Sequence, residues 1–459
     1  MPIFIEILHG ADSLCGPDAR FMLEVIATGS LQAFAPMSEV SVKTLAKCLH
    51  LEECVVSDAL NELVAVGLMK RFVEQRVGRG GRAAVSYKLC SEACRLPDME
   101  MLSRLHHSDF LRALFSGEDM AFPVIWHEQA AVKVVKEKEG KWQPPGGRGR
   151  LSIRNRLLFA ALLSRADLFG ETQISISELG ELTGMRPEQV KNRLHRLMAV
   201  GLIRSHVPGL SSSIFAKGRV SSTYFLNVDA LAAEGGVAVH MAYYGEAKLF
   251  THADSLWAEI KGRGDLLSYS SEAARVAVHH FFAKQRRAVV MLFQHLLYRY
   301  ASRLLSCYWH KLASQDPIDD AELRKSIRAD FRWPGSEVAN ELDGGACSDF
   351  ELVCDHFYRQ ATEVAREYRT RFGQANWVGF DLARIRILPA ADDLGYKVLT
   401  IMLRPAPPEL GSCSVLLESR PGEVELQSVK AESDLSLKDR VGFGLLALPP
   451  GRARAAASQ

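Results

Sequence analysis

Six side chains suited to polar recognition fall in one short run: Arg186, Gln189, Lys191, Asn192, Arg193 and Arg196. Guanidinium and carboxamide groups donate in pairs, so such a set can grip phosphate oxygens and read the edges of base pairs. Val190, Leu194, Leu197 and Met198 recur between them at helical spacing, which gives the same helix an apolar inner side. A solvated helix carries charge of this kind too. The elements around the helix therefore decide what the charge is for.

Those elements follow in order. Ile176, Leu179 and Leu182 give a short preceding helix one apolar face, Gly184 breaks it, and Pro187 suits the first turn of the next. Ala199-Val200-Gly201-Leu202-Ile203 ends that second helix on a glycine and opens a strand. A serine loop (Ser211, Ser212, Ser213) and Lys217-Gly218-Arg219 then precede a second strand, Ser222–Leu226. Helix, turn, helix and a hairpin with a basic tip resembles the winged helix-turn-helix family. The resemblance implies that the second helix enters the DNA major groove. It also implies that the hairpin, through Lys217 and Arg219, meets phosphates or the minor groove.

The pattern occurs twice. Ser41–Lys70 aligns with Ser175–Arg204 without a gap at a constant offset of 134 residues, and Ala65-Val66-Gly67-Leu68 is identical to Ala199-Val200-Gly201-Leu202. Leu45, Val56, Leu60 and Leu63 fall on Leu179, Val190, Leu194 and Leu197, so each copy supports the other. The resemblance covers 20–90 and 150–228, and it specifies a fold better than a target. The first copy gains a leading helix over Ala19–Thr28 with Asp18 as its expected N-cap. Its hairpin runs from Lys70 to Leu89, with Arg76, Arg79 and Arg82 at a glycine-rich tip suited to DNA backbone contact. Its second helix differs in sign: Glu52, Glu53, Cys54, Ser57, Asp58, Asn61 and Glu62 are its outward positions, and four carboxylates repel phosphates. The copies are thus expected to have diverged, the second reading DNA by its helix, the first touching DNA by its hairpin or holding protein by the acidic face Glu52–Glu62.

Between the copies, helices are expected over Leu102–Phe115 and Val124–Val135. Lys133–Arg156 then carries eight cations against Glu137 and Glu139, a local excess of six positive charges. Inside it, Trp142–Arg150 contains Pro-Pro-Gly-Gly-Arg-Gly-Arg, which is linker or arm. As an arm, Arg148 and Arg150 could enter a narrow minor groove. Arg154 continues the basic track into the helix Ser152–Arg165. Cys90 and Cys94 with His106 and His107 give a weak zinc pattern, because the histidines are adjacent, so no metal and no cofactor are assigned.

Ser271–Ala313 keeps apolar residues at helical spacing with no glycine or proline. One long helix is expected there, able to cross a domain or to self-associate. His279, His280, His295 and His310 on it are spaced too widely for a close metal site. Ser348–Phe372 offers an antiparallel partner helix. Ala383–Leu388, Tyr396–Leu403, Cys413–Ser419 and Val424–Val429 read as strands of a small antiparallel sheet, followed by a disordered tail from Gly451.

The fold class expected is mainly α with small β elements: two tandem winged helices, then a long-helix domain with a small C-terminal antiparallel sheet. The boundaries are 1–95 for the first winged helix, 96–150 for connector and linker, and 151–230 for the second winged helix. A helical domain over 231–376, a β-rich part over 377–450 and a tail over 451–459 complete the chain. At 459 residues with 47% apolar and 24% charged side chains the chain is globular, and a net charge of only +2 confines any nucleic-acid surface to a local patch. The N-terminal residues show no signal peptide, no segment reads as a membrane span, and nine irregularly spaced cysteines fit a reducing cytoplasm. No phosphate loop, metalloprotease motif or nucleophile elbow is present, so no enzyme is expected. The function expected is a cytoplasmic, bacterial, sequence-specific double-stranded DNA-binding transcription regulator using its tandem winged helices as a pseudo-dimer. A plasmid or mobile-element replication initiator, or an architectural protein whose winged helices bind protein, are the alternatives.

Overall fold

The computed structural model describes residues 6–7, 15–32, 40–74, 84–90, 92–95, 105–116, 151–228, 239–244, 251–334, 344–373, 380, 383–389, 398–404, 413–420, 423–429 and 432–446. The described chain is mainly helical with small sheets, and no described helix is long and apolar enough to cross a membrane. It divides into two compact units, Met1–Ile203 with Tyr224–Leu231, and Arg204–Thr223 with Ala232–Gln459. The expected helix Val124–Val135, the stretch Trp142–Arg150 and the tail from Gly451 lie outside the described residues.

The first unit opens with β1 (Glu6–Ile7), α1 (Pro17–Gln32), α2 (Val42–Leu49), α3 (Glu53–Ala65), β2 (Met69–Glu74), β3 (Ala84–Leu89) and β4 (Cys94–Arg95). It continues through α4 (Ser108–Phe115), α5 (Ile153–Leu163), β5 (Glu171–Gln173), α6 (Ile176–Thr183) and α7 (Pro187–Ala199). The 134-residue offset holds to the residue: α2 maps onto α6 and α3 onto α7 at both ends. Each copy starts on a serine cap, with Ser41 Oγ accepting from Thr44 N–H and Ser175 Oγ from Glu178 N–H, both at 3.1 Å. Each breaks its first helix with a left-handed residue, His50 (φ 53°) or Gly184 (φ 69°). Each ends its second helix on a left-handed glycine, Gly67 or Gly201, after which Leu68 or Leu202 donates back to Leu63 or Leu197.

The hairpins then depart from the repeat. Cys90 N–H donates to Leu68 O in the first copy and Asn227 N–H to Leu202 O in the second. Those pairs are 22 and 25 residues apart, so the second excursion is three residues longer. In the first, β2 and β3 pair antiparallel from Met69↔Leu89 to Glu74↔Ala84.

One hydrophobic core serves both copies. Phe21, Met22, Ile26, Leu60 and Leu63 share it with Leu158, Phe159, Leu162, Leu179 and Leu197. Here α1 packs on α3 and α5, and α5 packs on α6 and α7. Arg20 Nη1 donates to the carbonyls of Glu181 and Leu182 at the end of α6, satisfying acceptors that the helix leaves open. Asp18 is not the cap of α1. It lies in the first turn of a helix that begins at Pro17, and its carboxylate is held by Arg154 Nε at 2.7 Å.

Gly184 shows how tightly the copies are joined. A Cβ there would sit 2.5 Å from Cys15 O and 2.9 Å from Arg20 Nε, on top of the strain of its positive φ. Gly184→Ala should therefore lower stability by more than the roughly 1–2 kcal/mol that a left-handed L-residue costs. His50→Gly, at the exposed equivalent position, should raise stability by up to about 1 kcal/mol by removing that strain. Chemical denaturation of both variants checks this. Equal effects of the same sign would show that the close approach at Gly184 is not maintained.

The second unit begins in the longer hairpin. β6 (Ile203–Val207) leads to β7 (Leu210–Ser211), β8 (Arg219–Val220) and β9 (Thr223–Leu226), with β7 and β8 antiparallel. Arg204–Thr223, from the stretch 151–230 expected as the second winged helix, group with the C-terminal residues. Ile214 and Phe215 are buried there, and Phe215 bridges to Phe331.

β10 (Val239–Tyr244), α8 (His252–Ile260), α9 (Glu272–Phe282), α10 (Arg287–Tyr308), α11 (Ala321–Asp330) and α12 (Gly344–Phe372) follow. The single helix expected over Ser271–Ala313 is two helices and a short 3-10 turn, Lys311–Ala313, with a break at Ala283–Arg286. The reason is packing. Phe282 and Phe293 pack with tilted rings, their centroids 5.3 Å apart, whereas eleven residues of straight helix would separate them by about 16 Å. Most of the apolar stripe expected to offer self-association is buried in this unit's own core with Phe331 and Phe357, and α12 packs against both α9 and α10.

The four C-terminal strands form as β11 (Arg384–Ile387), β12 (Val398–Arg404), β13 (Cys413–Arg420) and β14 (Glu423–Val429), before α13 (Leu437–Gly442). The sheet is larger than expected. β10, from the stretch expected to be helical, inserts between β12 and β13 in the order β11-β12-β10-β13-β14. It pairs antiparallel with β12 and parallel with β13, so the sheet is mixed. Ser302 and Ser306 on α10 accept from the backbone N–H groups of Ile387 and Ile385 at 2.9 and 2.8 Å, which pins β11 to the helix.

Candidate nucleic-acid interface

α7 is placed by its own sequence and by α5. Pro187 begins it, and Gln189 Oε1 turns back to accept from Arg186 N–H at 3.1 Å. Val190, Leu194 and Leu197 are buried against the core. That leaves Arg186, Glu188, Lys191, Asn192, His195 and Arg196 exposed along the outer side.

The six expected contact residues of α7 do not all belong to that surface. Arg193 turns toward α5, where its Nη1 donates to Asn155 Oδ1 at 2.8 Å and Ser152 Oγ at 3.2 Å. Partial burial, and then Arg154 and Arg196 nearby, lower its pKa. It is a strut with charge close to the surface, not a free reader. Gln189 is half-buried, with its Oε1 engaged in capping. Lys191 forms an ion pair with Glu188 at 2.9 Å, an exposed i,i+3 contact that opens readily. His195 is an exposed donor that the helical period could have shown and that the charge pattern hid. Arg154, expected as part of a basic track, is held by Asp18, which raises its pKa through that hydrogen bond.

The first copy presents the opposite sign at equivalent positions. Glu52 stands where Arg186 stands, and Asp58 where Asn192 stands; Glu52, Glu53, Cys54, Asp58 and Asn61 are exposed. Glu62, the counterpart of Arg196, is not outward: its carboxylate accepts from Gly16 N–H at the start of α1, and Ser57 is half-buried. The exposed charges are thus three cations and Glu188 on α7, against Glu52, Glu53 and Asp58 at α3.

Comparison with protein-family models, with curated proteins and with solved structures finds no match.

What the site can do rests on its own chemistry. An exposed helix bearing two guanidiniums, an ammonium, a carboxamide and an imidazole can donate to phosphates and to base acceptors. Lys217 and Arg219 are exposed on the hairpin of the second unit. Arg76, Arg79, Arg82, Arg148 and Arg150 lie outside the described residues. Cys90 and Cys94 are buried and joined by a backbone turn, and His107 Nε2 is engaged with Asp167 O at 2.8 Å. Those contacts give the Cys–His stretch a structural use.

Proposed function

We propose that the chain is a double-stranded DNA-binding protein of the transcription-regulator type, built on two tandem winged helices, in which α7 reads the major groove. The observation that carries this is the outer side of α7, where Arg186, Lys191, Asn192, His195 and Arg196 stand exposed on a helix fixed to the core on its other side. A rigid mounting matters because base reading depends on holding donors at hydrogen-bonding distance from base edges. The first copy has a different role. Its exposed Glu52, Glu53 and Asp58 repel phosphates, which favours a protein partner for that face.

The test is preference, not binding alone. A duplex enriched from a randomised pool by the native chain should be bound far more tightly than bulk DNA. That preference should be lost when Lys191 and Asn192 take the residues of the first copy, Lys191→Ser and Asn192→Asp. A variant that keeps full preference would show that another surface does the reading.

A further inference from the structure

The hairpin of the second unit is fastened in a way that a free loop would not need. Phe215 bridges to Phe331, Ala216 N–H donates to Asp330 O at 3.1 Å, and Arg332 N–H donates to Ile214 O at 2.8 Å. Arg332 Nε donates to Ser213 O at 2.8 Å. On the other side, Ser212 Oγ donates to Gln285 Oε1 at 2.6 Å. Gln285 lies in the break between α9 and α10, and its neighbours Lys284, Arg286 and Arg287 are all exposed. Two separate segments of the chain, the hairpin tip and this break, are therefore bonded side by side.

Their charge has one sign. Residues 204–223 and 283–288 contain no carboxylate. Lys217, Arg219, Lys284, Arg286 and Arg287 are exposed, and the Arg332 guanidinium lies by Gly218 at the tip. Among the described residues, two carboxylates come near from other elements. Asp254 meets Arg287 at 3.4 Å, and Asp330 is taken by Arg299 and the Tyr300 hydroxyl. Arg286 and Arg287 also sit at the first turn of the 22-residue α10, which has no acidic residue there and no side-chain cap. Cations at that end of a helix dipole are disfavoured until an anion joins them. Arg287 is met by Asp254, but among the described residues Lys217, Arg219, Lys284 and Arg286 have no ion-pair partner.

We propose that the hairpin tip and the α9–α10 break form a second phosphate-binding surface, which holds the backbone of double-stranded DNA without reading its sequence. This rests on the DNA-binding function proposed above and adds a second contact that α7 does not supply. The patch fits a duplex better than a membrane surface. Its polar complement is the exposed hydroxyls of Ser211 and Ser213, and the exposed large apolar residues among this unit's described residues, Leu266, Val276 and Leu426, belong to other segments.

The experiment measures affinity of the full chain for a short random duplex and for its preferred duplex across a range of salt, by fluorescence anisotropy. Lys217→Ala, Arg219→Ala, Lys284→Ala and Arg286→Ala are combined, with Lys284→Gln and Arg286→Gln as a milder pair. If all four contact phosphates, the slope of log affinity against log salt should become shallower by about 3.6 in the first variant and about 1.8 in the second. The ratio of preferred to random affinity should persist in both, because base reading belongs to α7. An unchanged slope in a native-like variant, with the native chain binding DNA, overturns this surface alone. Failure of the native chain to bind any duplex overturns the DNA-binding function and this surface with it. Binding of anionic phospholipid vesicles in place of DNA, lost in the same variants, would assign the patch to a membrane and overturn the proposal.

Discussion

Replacing Glu432 with alanine should destabilise the second unit by about 3–5 kcal/mol, among the largest effects of any single substitution in it. Glu432 is 7% exposed and lies between two buried guanidiniums. Arg204 Nη1 donates to its Oε2 at 2.9 Å, and Arg440 donates from Nε and Nη2 to its Oε1, both at 3.2 Å. Arg204 is fully buried and Arg440 is 3% exposed. Removing the carboxylate withdraws the anion that the two buried guanidiniums share, which costs far more than the pair itself contributes. A joint replacement, Arg204→Met, Glu432→Leu and Arg440→Met, should recover most of that loss, since both guanidiniums leave together with the carboxylate they share. Urea denaturation followed by tryptophan fluorescence reads both variants, because Trp309 and Trp333 are buried in this unit. A Glu432→Ala variant within about 1 kcal/mol of the native chain would mean that the triad is open to water.

The second large effect is acid sensitivity. His295 and His356 are 7% and 3% exposed, and burial pulls both pKa values down to about 3, with neighbouring cations acting in the same direction. For His356 the other contributors are His252, Arg359 and His279. An unfolded histidine titrates near 6.5. Between that value and about 3 the unfolded chain therefore binds more protons than the folded one. Stability is fully present above pH 6.5 and declines as pH falls. Each histidine contributes about 1.4 kcal/mol per pH unit well inside that window, close to 3 for the two. Glu259 and Asp320, whose pKa values are lowered, add to the loss only below their ordinary carboxylate range. Stability measured at intervals from pH 7 to pH 4.5 should fall steeply, and His356→Phe should flatten the slope by about one proton. A flat profile would show that these rings reach water.

Much of the first unit was legible because its determinants are local. Gly67 and Gly201 as stops and the apolar stripes of α3 and α7 each act within a few residues. The offset of 134 let one copy check the other. Long-range partners were not legible. Nothing near Arg193 indicates that Asn155, 38 residues earlier, would take its guanidinium, nor that Asp18 would hold Arg154. Arg204 shows the limit well. Its counterpart in the first copy, Lys70, is exposed, and the period gives no warning that Arg204 is buried against Glu432, 228 residues away. The break at Ala283–Arg286 was hidden for a related reason. No glycine or proline marks it, and it goes with a phenylalanine cluster that brings Phe282 against Phe293, which a straight helix could not do. β10 was missed because its partners, β12 and β13, are supplied after the intervening helices.

The two copies share a scaffold and differ in the side chains they present, a difference tested by exchanging two residues between them. Lys191 and Asn192 of α7 correspond to Ser57 and Asp58 of α3 at the constant offset. The measurement is the affinity of the full chain for its preferred duplex relative to random duplex. It is made for the native chain, for Lys191→Ser with Asn192→Asp, and for the reciprocal Ser57→Lys with Asp58→Asn. Two base contacts at about 1–3 kcal/mol each predict that the first exchange removes about 2–6 kcal/mol of preference. The reciprocal exchange should leave preference intact. Preference that survives the α7 exchange, or is lost through the α3 exchange instead, would contradict the assignment of reading to the second copy.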